Sequence, residues 1–236
     1  MSPRPDQVAE LTRGLSLPLP SISEPIMMVL AETLERAFSE LRAQSPETLA
    51  TGSEPEVTAL LVSRLNAMVD GIGEGTDLWR SLVRSVGRSD ECISYDGAHL
   101  AKQPDLTIWL TNRSARFPVT AEAKLIDGPN GKTEVLYCTQ GIKRFIVGEY
   151  GWGTREAFML GYVRDGAAIA TKLVPYLAQA AHKATYGVIS GPAAFDIASD
   201  NGRSQHARSF QFSHQPAPNH LPGEIVLWHI WFAAVE

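Results

Sequence analysis

Pro104-Asp105-Leu-Thr-Ile-Trp-Leu110, followed after a short gap by Val119-Thr-Ala-Glu122-Ala-Lys124, is the stretch on which the fold turns. An aspartate and, 17 positions later, a Glu-x-Lys each ride a short hydrophobic run. Residues two apart on a strand project to one face. Glu122 and Lys124 therefore point together, while Ala123 and Leu125 face the other way. If the two runs pair as neighbours, Asp105 joins the same surface. Two carboxylates can hold a divalent cation, and an ammonium beside them can orient or deprotonate a water. That is the minimum equipment for hydrolysing a phosphodiester.

Working outward, Ser53 before Glu54-Pro55-Glu56 is a helix start, with a capping hydroxyl, a proline in the first turn and early acids. The predicted helix runs to about Val69, and Gly71-Ile-Gly-Glu-Gly75 ends it. Asp77 caps a further short helix through Val86. Strands are predicted at roughly 91–95, 105–110 and 118–125, and a helix at about 133–148. A strand at 158–163, a helix at 167–184 and a strand at 186–190 follow. Phe210-Gln-Phe212 and Ile225 to Phe232 read as a last strand pair across a Pro-rich loop. Upstream, residues 1–24 read as an extended arm. Apolar residues at helical spacing (Met28, Leu30, Ala31, Leu34, Phe38, Leu41) predict an amphipathic helix over 26–43.

This order of helix, three strands, helix and strand, with the Asp/Glu-x-Lys pattern inside it, resembles the PD-(D/E)xK, or restriction-endonuclease-like, nuclease superfamily over residues 54 to 165. The resemblance implies an α/β fold with a central mixed sheet flanked by helices. Residues 1–50 would form an N-terminal arm and helix, and 51–236 the nuclease-like domain. It further implies that Asp105 and Glu122, with the carbonyl of Ala123, ligate Mg²⁺, for which Mn²⁺ substitutes. Lys124 would position the attacking water and stabilise charge on the phosphoryl group. The superfamily often carries another acid on the first core helix. Glu56 is the candidate here and Glu54 its competitor, against a plain first-turn acid favoured by the helix dipole. One branch has a Gln followed four residues later by Tyr on the second helix. Gln140 matches the first, Arg144 stands where the Tyr would be, and Lys143 or Arg144 would meet phosphate. The implied activity is metal-dependent cleavage of DNA, as the effector of a prokaryotic defence or restriction system. Targeting would come from homodimerisation, a partner subunit or a trigger. The rival expectation is a catalytically silent adaptor or sensor on the same fold.

Composition bounds these expectations. A chain of 236 residues with 44% hydrophobic residues suits one sizeable cored domain. The net charge of -5 divides unevenly: residues 1–100 hold 8 Lys/Arg against 15 Asp/Glu, residues 101–236 hold 13 against 11. The half with the candidate site is the basic one, which permits phosphate contact. The apolar stretch from Ile26 to Leu34 is too short to span a membrane, and the first residues lack the apolar core of a signal peptide. Cys92 and Cys138 lie far apart, which suits a reducing cytoplasm and no zinc knuckle. Gly131-Lys132-Thr133 is no phosphate loop, because position 126, where the motif needs glycine, is Ile. Six histidines, His214 among them, form no HExxH pattern and are expected to be structural or surface residues, as Trp228, Trp231 and Phe232 are expected in the core or at an interface rather than as a base-stacking platform.

Overall fold

A computed structural model describes residues 5–99, 102–196, 199–212 and 220–235; His214 lies outside them. Helix α1 spans Pro5–Thr12, α2 Glu24–Gln44, α3 Pro46–Thr51, α4 Glu54–Val69 and α5 Asp77–Leu82. Strands β1 (Val83–Arg88), β2 (Leu106–Leu110) and β3 (Val119–Ile126) follow. A continuous helical body is built from α6 (Glu134–Tyr137), a π turn (Cys138–Ile142) and α7 (Lys143–Ile146). Then come β4 (Glu156–Val163), α8 (Leu173–Ala178), α9 (Ala180–Thr185), β5 (Val188–Ala193), β6 (Asn201–His206) and β7 (Ile225–Ala233).

The strands form one mixed sheet of order β1-β2-β3-β4-β7-β6-β5. Only β3–β4 and β4–β7 pair in parallel; the other pairings are antiparallel. The parallel centre explains the sequence of β4: every residue from Glu156 to Val163 is buried, because a strand covered on both faces cannot alternate. On one face, α2 and α4 share a core with Leu106, Ile108, Ala121, Ala123, Phe158 and Ile230. On the other, Tyr137, Ile142 and Phe145 of the helical body pack on Ile126, Met159 and Leu227. The helix predicted over 26–43 is thus part of the main core. No described helix is long and apolar enough to cross a membrane.

Several expectations need correction. The N-terminal arm contains α1, whose Val8 packs with Leu17, Leu19, Phe117 and Trp152. The helix predicted through Val86 stops at Leu82, and β1 begins at once as an edge strand paired with β2. The strand predicted at 91–95 is a single bridge, Cys92 with Lys102. Phe210 and Phe212 are buried but lie in no strand; β6 is the partner of β7 instead. The helix predicted over 167–184 is two short ones broken at Gln179, whose backbone is extended (φ -65°, ψ 136°).

Candidate active site

Asp105 sits at the bend that opens β2, and β2 pairs antiparallel with β3 in a register that sets Leu106 opposite Ala121. That register brings Asp105 beside Glu122, and its carboxylate accepts the Ala123 N–H at 2.8 Å. Lys124, two residues along β3, turns back onto both. Its Nζ lies 2.8 Å from Glu122 Oε1 and 3.5 Å from Asp105 Oδ2. It also donates to the Ala123 carbonyl at 2.5 Å. A third carboxylate arrives from α4: Glu54 Oε1 is 3.0 Å from Lys124 Nζ, while its Oε2 accepts the Leu125 N–H at 2.9 Å.

Glu54, not Glu56, therefore reaches this cluster, which corrects the placement expected for the α4 acid. Glu56 folds back onto the helix start and accepts from both the N–H and the hydroxyl of Ser53, each at 2.7 Å. The hydroxyl and backbone of Ser53 hold its carboxyl below the usual range. The reason is positional: the third helical residue caps its own helix, whereas the first projects ahead of it.

The second helix also departs from a plain helical register. Among Gln140, Lys143 and Arg144, the first two are exposed and only Arg144 turns inward. The π turn between Cys138 and Ile142 inserts an extra residue, so the four-residue spacing of Gln140 and Arg144 does not place them on one face. Arg144 Nη1 donates to Tyr150 Oη at 2.9 Å, and its Nε lies 3.8 Å from Glu122 Oε1. Tyr150 in turn donates to Glu122 Oε2. Tyr150 was missed from sequence; it lies in the Gly-rich run Gly148-Glu-Tyr150-Gly-Trp-Gly153, where no pattern distinguishes it. Gly141 permits the close approach of helix to sheet: a Cβ there would lie 2.4 Å from Met159 Cε and 3.7 Å from Glu122 Cγ.

Glu122 is 2% exposed, and burial, reinforced by the charge of Asp105, raises its pKa to about 7. Burial alone would depress the Lys124 ammonium, but Glu122, Asp105 and Glu54 override it and hold its pKa above the usual value. Burial and the neighbouring Glu122 charge push the Tyr150 phenol up, keeping it a donor. The cluster thus combines a lysine locked in its charged form with a carboxyl poised to change charge near neutrality. Among the described residues, no group of three or more His, Cys, Asp or Glu stands arranged to hold a metal ion; the Lys124 ammonium sits between the carboxylates of Glu54, Asp105 and Glu122.

The histidines are used elsewhere. His206 and His229 are fully buried and flank the Ser204 hydroxyl at 2.7 Å on each side. Burial lowers their pKa values to about 4 and about 3. Trp228, Trp231 and Phe232 are core residues. No protein-family model, curated protein or solved structure matches the chain.

Proposed function

We propose that this chain is a metal-dependent nuclease that hydrolyses DNA phosphodiester bonds on a restriction-endonuclease-like core. The observation that carries the reading is the convergence of four oxygens, three of them carboxylate, on one cationic atom, Lys124 Nζ. Hard oxygens converging on a cation are the donor chemistry that Mg²⁺ or Mn²⁺ requires, and the ammonium is its stand-in. Asp105, Glu122 and the Ala123 carbonyl would hold the ion. A bound divalent cation supplies Lewis acidity toward a phosphoryl oxygen and the attacking water. Lys124, released from the carboxylates, orients that water and balances charge developing on the phosphoryl group. Tyr150, itself held by Arg144, fixes the second oxygen of Glu122, and Glu54 anchors β3 through Leu125. The wider role that fits is the effector of a prokaryotic cytoplasmic defence or restriction system, acting with a second copy or a partner subunit.

A second reading, a catalytically silent adaptor on the same fold, draws on one observation: the lysine is already fully paired by carboxylates. One assay separates the two. Supercoiled, linear and single-stranded DNA are incubated with Mg²⁺ and either wild type or Lys124→Ala. The nuclease reading expects cleavage by wild type, its loss with chelator, and a rate at least about a hundredfold lower in the variant. Equal cleavage by both proteins, or none by wild type on any substrate, sinks it.

A further inference from the structure

Beside the carboxylate cluster lies a cavity of about 450 Å³, walled by Trp109, Phe117, Tyr150 and Trp152. Its volume falls within the roughly 300–1,000 Å³ of sites that enclose small organic groups. It is joined to the cluster through β2 and β3. Thr107 and Thr120 are direct cross-strand partners and both line it. They are the next pair, on the same face, after Asp105 and Glu122, a step of about 7 Å along the strands. Tyr150 bridges the two regions, with its ring lining the cavity and its hydroxyl on Glu122.

The polar groups of the cavity identify its occupant. Thr120 lines the cavity, and its buried hydroxyl has no hydrogen-bond partner, a state that costs free energy unless a ligand completes it. Asp90 lines the cavity and accepts from Thr107 Oγ1 through one oxygen. The cation there, Arg116, is tied through Nη1 to the carbonyls of Leu11 and Arg13 at 3.0 and 2.9 Å. Two carboxylates, Asp90 and Glu91, line the cavity against one arginine tied through Nη1, a balance that suits no phosphate. They suit a flat ring that stacks on aromatic walls and offers amino hydrogens to an acceptor.

Resting on the nuclease reading above, we infer that this cavity takes one unstacked nucleobase of the strand being cut, adjacent to the scissile phosphate. The carboxylate favours bases with an exocyclic amine, adenine, cytosine or guanine, over thymine. Unstacking one base places its sugar–phosphate over Glu122 and Lys124, which ties strand choice to the chemistry.

The test uses metal-free protein, so that no cleavage is needed. Tryptophan fluorescence is titrated with deoxyadenosine, deoxycytidine and thymidine monophosphates and with a single-stranded oligonucleotide. Saturable quenching is expected with the oligonucleotide and with the two amino-bearing nucleotides, and about tenfold weaker binding of the thymidine form. Thr120→Val, which keeps the shape and removes the hydroxyl, and Trp109→Leu should each weaken binding about tenfold with near-ultraviolet dichroism otherwise preserved. The titration needs neither metal nor turnover, so a failed cleavage assay leaves this result standing. Wild-type affinity in both cavity variants overturns the inference even if DNA is cleaved. Quenching by mononucleotides but not by the oligonucleotide also overturns it, assigning the cavity to a free nucleotide.

Discussion

At the scale of single residues, Glu122 sets the pH response of the metal-free protein. Its folded pKa of about 7 stands above the usual 4.5. The stability it contributes is therefore fully present below about pH 4.5 and is lost as pH rises through 7, on the order of 3 kcal/mol across the window. His206 and His229 carry the opposite sign. Their depressed pKa values contribute stability above about pH 6.5 that is lost as pH falls through 4 and 3. Comparing wild type with Glu122→Gln cancels the histidines. Denaturant unfolding should show the variant gaining on wild type between pH 4.5 and 7 and a constant difference beyond; a difference flat across that range would refute the assignment. The two α4 acids separate as well. Glu56→Gln should lower stability slightly, through its contacts with Ser53, and leave cleavage unchanged, while Glu54→Gln should slow cleavage by loosening β3 at Leu125. Asp105, Glu122 and Lys124 could be brought together from spacing alone, since strand periodicity and one pairing suffice. Choosing Glu54 needed the cap: Ser53-x-x-Glu56 is itself a signature that commits Glu56 to the helix start.

Among the elements, long amphipathic or fully buried ones were legible within a few residues: α2, α4, β3, β4 and β7. Those that neighbours impose were not. β6, Asn-Gly-Arg-Ser-Gln-His, has no hydrophobic run and is a strand because β7 offers it a ladder. β1 hides its alternation behind a register shift between Val83 and Ser85. The π turn is equally silent in sequence, yet it seats Gly141 over Met159 and sends Arg144 inward. Gly141→Ala would set a methyl against Met159 Cε, the end of a flexible side chain that can turn aside, so only a small change in Tm is expected. A large drop in Tm would mean that Met159 has no room to move.

Across the whole molecule, one sheet draws its candidate site from both halves of an unevenly charged chain, with Glu54 supplied by the acidic half. Nucleic acid should still meet the basic half. Lys143 is exposed beside the site, whereas Arg144 is committed to Tyr150 and Glu122. Lys143→Ala should therefore lower the salt slope of DNA binding by about 0.7–0.9, one phosphate contact. Removing Arg36 and Arg42 from α2 should leave the slope alone. Fluorescence anisotropy across a salt series in Ca²⁺ reads this directly, and the reverse pattern would place the substrate on the wrong face. The central claim, that the carboxylates converging on Lys124 form a divalent-cation site, meets its most direct test in calorimetric titration of Mn²⁺ into purified protein. One saturable site in wild type is expected, lost in Asp105→Ala and in Glu122→Ala but retained in Lys124→Ala and in Glu56→Gln. No binding by wild type, or binding that survives both carboxylate substitutions, would contradict it.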